Sequence, residues 1–243
     1  MPASVAFWIS LINCRIVGVQ FVVASEAHLQ AICRRKVGLP ERLAVDSDLA
    51  DAVAGLKEIF AQRKLAMSQG KADKELVETL KKQLKVPPRY RLYLLGANPL
   101  SIETQTPVER IRLIPAEELI RAQEQVRSPS DAGGSVPLDW KASWVVIGES
   151  ALLSDPYFLD TSKPDAEGDC PVYTAMRGQE RWQPTLAASS FAQFLRILAI
   201  AMETAAGFGD AIMDDEDEDS FRESLAPKIK VIDPAAYRAG HWT

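Results

Sequence analysis

The chain has 243 residues, a formal net charge of -5 and a pI near 5.2, with 47% hydrophobic and 25% charged residues. That content supports a real core, in one large domain or one domain with extensions. The acidic balance argues against a nucleic-acid binder, which needs clustered lysine and arginine on one face, and is better suited to a basic partner.

The first apolar run, "ASVAFWISLINCRIVGVQFVVAS", has no basic residue before it and carries Arg15 in its middle. Neither half reaches the roughly 18 to 20 residues of a spanning helix, and its β-branched and aromatic content reads as a buried strand or strand pair, not a secretion signal. No membrane span is expected. Cys14, Cys33 and Cys170 are odd in number and form no C-x-x-C pair, so neither a disulfide framework nor a zinc site is suggested, and a reduced cytoplasm is the expected location.

A charged region then runs to Lys85, with Leu49, Val53, Leu56 and Phe60 at helical spacing. Leu76, Val77, Leu80 and Leu84 predict a second amphipathic helix that Pro87-Pro88 must end. "RYRLYLLGANPLSIET" reads as a short apolar segment with a turn at Ala97-Asn98-Pro99. A strand from Ile111 to Ile114 and a helix opening at Pro115 follow, and Ser128 to Pro137 is a loop by composition.

Strands are expected at Trp144 to Ile147, Tyr157 to Asp160 and Pro171 to Ala175. The strongest helix signal follows: Ser190 as N-cap with Gln193 three residues on, then Phe191, Phe194, Leu195, Leu198 and Met202 on one face and Gly207 as the stop. "DDEDED", Asp214 to Asp219, repels itself and reads as a solvated linker. The tail is expected to dock back through Val231, Ile232, Tyr237 and Trp242.

No catalytic signature stands out. Gly148-Glu149-Ser150-Ala151-Leu152 begins like a nucleophile elbow but puts Leu152 where the second glycine belongs. The two histidines, His28 and His241, sit near opposite ends of the chain, and a Ser-His-Asp site would need them to meet the serine by chance. In an extended segment Asp155 and Asp160 lie roughly 16 to 17 Å apart on opposite faces, against about 5 to 9.5 Å for working carboxyl pairs. Gly207-x-Gly209-x-x-Ile212 is a broken dinucleotide fingerprint following a helix, and the acidic block lacks the glycine and terminal glutamate of an EF-hand loop.

Taken in order, "WVVIGES", "DPYFLDTS" and "CPVYTAMRGQERWQPTLAASSFAQFL" resemble the SUKH superfamily of fungal Smi/Knr cell-wall regulators and bacterial toxin-immunity proteins. Upstream, Pro87, Tyr90, Leu94 and Asn98 are similar to the family's Pro-x-x-Tyr helix and the turn after it. The chain departs from the pattern at Pro99, where glycine is common, and in the extra loop from Ser128 to Pro137.

The resemblance implies an α+β domain with a single largely antiparallel or mixed sheet, helices packed against it, no cofactor, and a role as a protein-binding module. The organisation expected is an N-terminal apolar and helical extension over residues 1–85, a SUKH-like core over 86–206, and an acidic linker and C-terminal tail over 207–243. The partner implied is a toxin, such as a basic nuclease, neutralised in the cytoplasm. A regulatory or scaffolding binder without a toxin is the alternative, and an enzyme is a third reading. Tyr157, Asp160, Arg177, Glu180 and Trp182 sit beside turns and are the residues proposed to meet the partner, because such side chains dominate interface energetics.

Overall fold

Hydrophobic spacing fixes the first helix. In the computed structural model, which describes residues 47–127, 139–208 and 215–243, Leu49, Val53, Leu56 and Phe60 line the buried face of α1 (Ser47–Gln62). The strand pair read from the N-terminal run, the loop from Ser128 to Pro137, and His28, Cys14 and Cys33 lie outside the described residues. All described residues fall within the compact unit Leu39–Thr243.

After β1 (Ser68–Gly70), Asp73 caps α2 (Lys74–Leu84), which buries Val77, Leu80 and Leu84. Lys85, in the left-handed region at φ 55°, ends it. Here the structure differs from the expected short apolar segment, because Pro88–Ala97 is a helix, α3, with Pro88 at its first position. Its buried arc includes Arg89 and its more open face carries Leu92 and Leu95, so hydropathy does not separate the two faces into a stripe. β2 (Asn98–Ser101) then pairs antiparallel with β1. Asn98 is fully buried; its Oδ1 accepts the Ala116 amide at 2.8 Å and its Nδ2 donates to Glu117 at 3.0 Å.

The main sheet is an antiparallel meander of six strands in chain order: β3 (Glu103–Gln105), β4 (Arg110–Leu113), β5 (Trp144–Ser150), β6 (Pro156–Asp160), β7 (Val172–Thr174) and β8 (Thr185–Ala188). The fold is a mixed α+β architecture in which this sheet curls and helices pack against it. A bulge lies between Val146 and Gly148. A Cβ at Gly148 would come 3.1 Å from the Arg112 carbonyl oxygen, so glycine permits the close approach of β4.

Pro115 is followed by a 3₁₀ turn (Ala116–Glu118) and α4 (Leu119–Gln125). Gln123 takes the place of a neighbouring strand along β5. Its Nε2 donates to the Trp144 carbonyl at 2.9 Å and its Oε1 accepts the Val146 amide at 3.0 Å. A buried backbone edge is thereby satisfied by one side chain.

α5 (Phe191–Ala205) is the helix with the strongest sequence signal, and the Ser190 Oγ accepts the Gln193 amide at 3.1 Å as its N-cap. The reciprocal half of the capping box is absent, because Gln193 Nε2 donates to the Ile232 carbonyl at 2.8 Å instead. α5 packs on α1, and Phe194 lies 5.4 Å from Tyr157, ring to ring, on one face of the sheet. On the other face Trp144, Phe158 and Tyr173 stack in sequence, with Trp140 packed against Trp144 and Phe158.

The acidic run corrects the linker reading. Asp215 opens α6 (Asp215–Ile232), which packs on α5, and Glu218 pairs with Arg222 at 2.8 Å. Asp233 caps α7 (Pro234–Ala239). The tail docks through Trp242, whose Nε1 donates to the Ala187 carbonyl at 2.7 Å, while Val231 stays 82% exposed. Among the described residues no helix is long and apolar enough to cross a membrane.

Candidate functional site

A cleft of about 810 Å³ opens where the turns between strands meet the C-terminal segment. Its parts come from five places in the chain. The β3–β4 turn supplies Val108 and Glu109, the β5–β6 turn Ser150 to Asp155, and the β7–β8 connection Met176, Gln179 and Gln183. α6 adds Glu218 and Arg222, and the terminus adds Gly240, His241 and Thr243.

Local hydrogen bonds aim these groups. Thr106 Oγ1 donates to the Glu109 carbonyl at 2.6 Å and accepts the Glu109 amide at 3.0 Å, which fixes the β3–β4 turn. In the β5–β6 turn Ser150 Oγ accepts the Leu153 amide at 3.3 Å, and Ser154 takes a left-handed conformation at φ 57°. Asp155 Oδ1 accepts the Arg177 amide at 2.6 Å, and Arg177 Nε donates to the Ser154 carbonyl, so the two turns are tied together.

At the floor, Tyr157 donates its hydroxyl hydrogen to Glu109 Oε2 at 2.6 Å and lies 2.9 Å from His241 Nε2. A hydroxyl has one hydrogen. With that given to Glu109, the Tyr157 oxygen accepts from the Nε2–H of a neutral His241. Burial, with the nearby Arg222 charge, pushes His241 down to about 4, in keeping with a neutral ring. Arg222 Nη1 in turn holds the His241 carbonyl at 3.1 Å.

The carboxyls of the cleft are shifted the other way. Burial pushes Glu109 above the ordinary range, and the Asp155 charge adds to this, against hydrogen bonds from Tyr157 and Ser150. Burial also raises Asp155, opposed by the Arg177 amide and charge. Two carboxyls raised by burial, Glu109 also by the Asp155 charge, and a histidine driven down, gathered in one cleft, mark a functional-site candidate. The rim is apolar: of the five exposed large hydrophobic residues among those described, Leu152, Leu153 and Met176 surround this opening.

Of the five residues proposed from sequence, Tyr157 lies beneath the cleft with its side chain buried and only its hydroxyl engaged there. Arg177 and exposed Glu180 lie on the β7–β8 connection beside Met176. Asp160 and Trp182 are buried away from the cleft. Asp160 accepts from Ser162 Oγ at 2.6 Å and pairs with Lys163 at 3.3 Å. Trp182 packs edge-on against Trp140, on the Trp144 and Phe158 side of the sheet. Tyr157, Asp160 and Trp182 thus offer little surface to a partner.

Glu109 belongs to no sequence motif and His241 lies far from it in the chain; only the fold brings them together. Ser150 ends a strand whose turn leads back into β6, not the strand-to-helix turn a nucleophile elbow requires. Asp155 directly precedes β6 and Asp160 ends it, so the two lie at opposite ends of the strand. Among the described residues no group of three or more histidine, cysteine or acidic side chains is placed to hold a metal ion. No protein-family model matches the chain, and no curated protein matches it.

Proposed function

We propose that the protein is a binding module of SUKH type without catalytic activity, and that it serves as an immunity protein that neutralises a cognate bacterial toxin in the cytoplasm. The observation that carries this reading is the gathering of Leu152, Leu153 and Met176 around one acidic-floored cleft. Exposed apolar residues scattered singly need no explanation, whereas a cluster rimming a concave opening marks a contact surface. The order in which sequence motifs resemble those of the SUKH superfamily supports the same reading. So does the pI near 5.2, since an acidic protein is steered toward a basic partner such as a nuclease.

In this reading Arg177 and Glu180 extend the rim as polar contacts, and Tyr157 supports the floor from below. The partner's apolar anchor sits on Leu152, Leu153 and Met176. The test is a search for a toxin gene beside this one, then co-expression with the toxin domain so found and calorimetric titration of the two purified proteins; absence of such a gene would overturn the toxin assignment. Rescue of growth with a Kd on the order of nanomolar is expected, in the range of specific complexes of standard interface size. Growth arrest despite a folded, expressed protein would overturn the toxin assignment.

A further inference from the structure

We infer that the cleft selects a cationic side chain, a lysine or arginine presented by an apolar segment of the partner. This rests on the reading that the protein binds another protein through this cleft, and it names the chemistry of what enters.

The charges lining the cleft do not cancel. Glu109, Asp155 and Glu218 face it with Arg222, while His241 is neutral near pH 7. Arg222 is already engaged, with Nε on Glu218 at 2.8 Å and Nη1 on the His241 carbonyl at 3.1 Å. Glu109 and Asp155 remain, drawn on only by the more distant charges of Arg222 and Arg177 respectively. Among the described residues neither carboxyl forms an ion pair with a lysine or arginine. Glu109 is held by the Tyr157 hydroxyl, with the neutral His241 ring at 3.8 Å, and Asp155 by the Arg177 amide.

Like charges brought together in a half-buried cleft are costly, and an entering cation relieves both. A carboxylate-bearing or phosphate-bearing ligand meets repulsion from the same pair. Leu152, Leu153 and Met176 suit what accompanies a cationic head, because lysine and arginine carry long apolar stems that lie along apolar surface. The volume of about 810 Å³ leaves room for such a side chain and its neighbours.

The probe is a blocked pentapeptide, acetyl-Leu-Ala-Arg-Ala-Leu-amide, titrated into the full chain and followed by NMR shifts of Leu153, Thr174 and His241. The control replaces its arginine by citrulline, a neutral isostere. The arginine peptide is expected to shift these signals and to bind at least about tenfold more tightly than the citrulline peptide, a difference of about 1.4 kcal/mol. Glu109→Gln and Asp155→Asn should each remove most of that preference, read as the ratio of the two peptides' affinities on the same variant. Equal binding of the two peptides, or a preference that survives both substitutions, overturns cation selection and leaves the docking reading standing. Absence of any cleft shift with either peptide overturns the cleft as a peptide-docking surface and this inference with it.

Discussion

The Asp169 carboxylate accepts the backbone amides of Phe191 and Ala192 at 3.0 and 3.1 Å, so a residue in the β6–β7 connection caps the helix that closes the fold. The same carboxylate accepts the Cys170 amide at 2.7 Å and meets Arg89 at 3.3 Å, both partners being buried. Arg89 also pairs with Asp48 at 2.8 Å, and Arg196 reaches Asp48 as well. One chain of charges therefore joins α1, α3, α5 and the loop after β6. Asp169→Ala should lower stability by about 2 to 4 kcal/mol, because it removes one of the carboxylates that the buried Arg89 meets and leaves two helix-terminal amides without an acceptor. Urea denaturation measures this, and a loss below about 1 kcal/mol would show the network to be dispensable.

Phe191 sits edge-on to both Tyr90, at 4.8 Å between centroids, and Tyr93, at 4.9 Å. Phe191→Ala should cost about 3 to 5 kcal/mol, the usual range for a core aromatic. The hydroxyls of Tyr90 and Tyr93 behave differently, being buried with no hydrogen-bond partner among the described residues. An unpartnered buried hydroxyl costs about 1 to 3 kcal/mol, so Tyr93→Phe should leave stability unchanged or raise it. A clear destabilisation of Tyr93→Phe would mean that its hydroxyl has a partner.

These core features were partly legible in the sequence. α1, α2 and α5 show one-sided apolar spacing, and β5 and β6 show dense β-branched and aromatic runs, so periodicity located them. Periodicity misses α3, which only the Pro-x-x-Tyr resemblance marks, because Arg89 lies on its buried face and Leu92 and Leu95 on its more open one; it misses α6 because repulsion along an acidic run says nothing of where a helix will form. The cleft was not legible at all. Glu109, Asp155, Met176, Arg222 and His241 come from five separated segments, and no local pattern announces a meeting that only the meander and the docked tail create.

His241 makes acid sensitivity predictable. It is 18% exposed and faces Tyr157, Glu109, Arg222 and Trp242. Its folded pKa of about 4 lies below the ordinary 6.5, so the unfolded chain binds more protons between those values. Stability is therefore fully present above about 6.5 and is lost as pH falls toward 4, by up to roughly 3 kcal/mol. Glu109, raised by burial, acts in the opposite sense, because the folded state takes up its proton first on acidification. Replacing the ring isolates its share: His241→Gln should flatten the fall in Tm between pH 7 and 4. Parallel profiles for the two proteins would place the acid sensitivity elsewhere.

Trp182 and Asp160 separate fold from interface. Both are buried, and Trp182 shields Trp140 on the sheet face away from the cleft. Trp182→Ala and Asp160→Ala should lower Tm and lose toxin protection only in proportion to that loss. Protection lost at unchanged Tm would assign them to the interface.

Docking through the cleft rim is tested most directly by Leu153→Asp combined with Met176→Asp, at positions 67% and 60% exposed. Substitutions at such sites usually change stability by no more than about 0.5 kcal/mol, so Tm should hold. The measurement is calorimetric affinity for the proposed toxin partner at matched Tm. A loss of at least about 100-fold is predicted, since both changes bury charge where an apolar anchor should sit. Unchanged affinity in a folded double variant would contradict the proposal that this rim is the binding face.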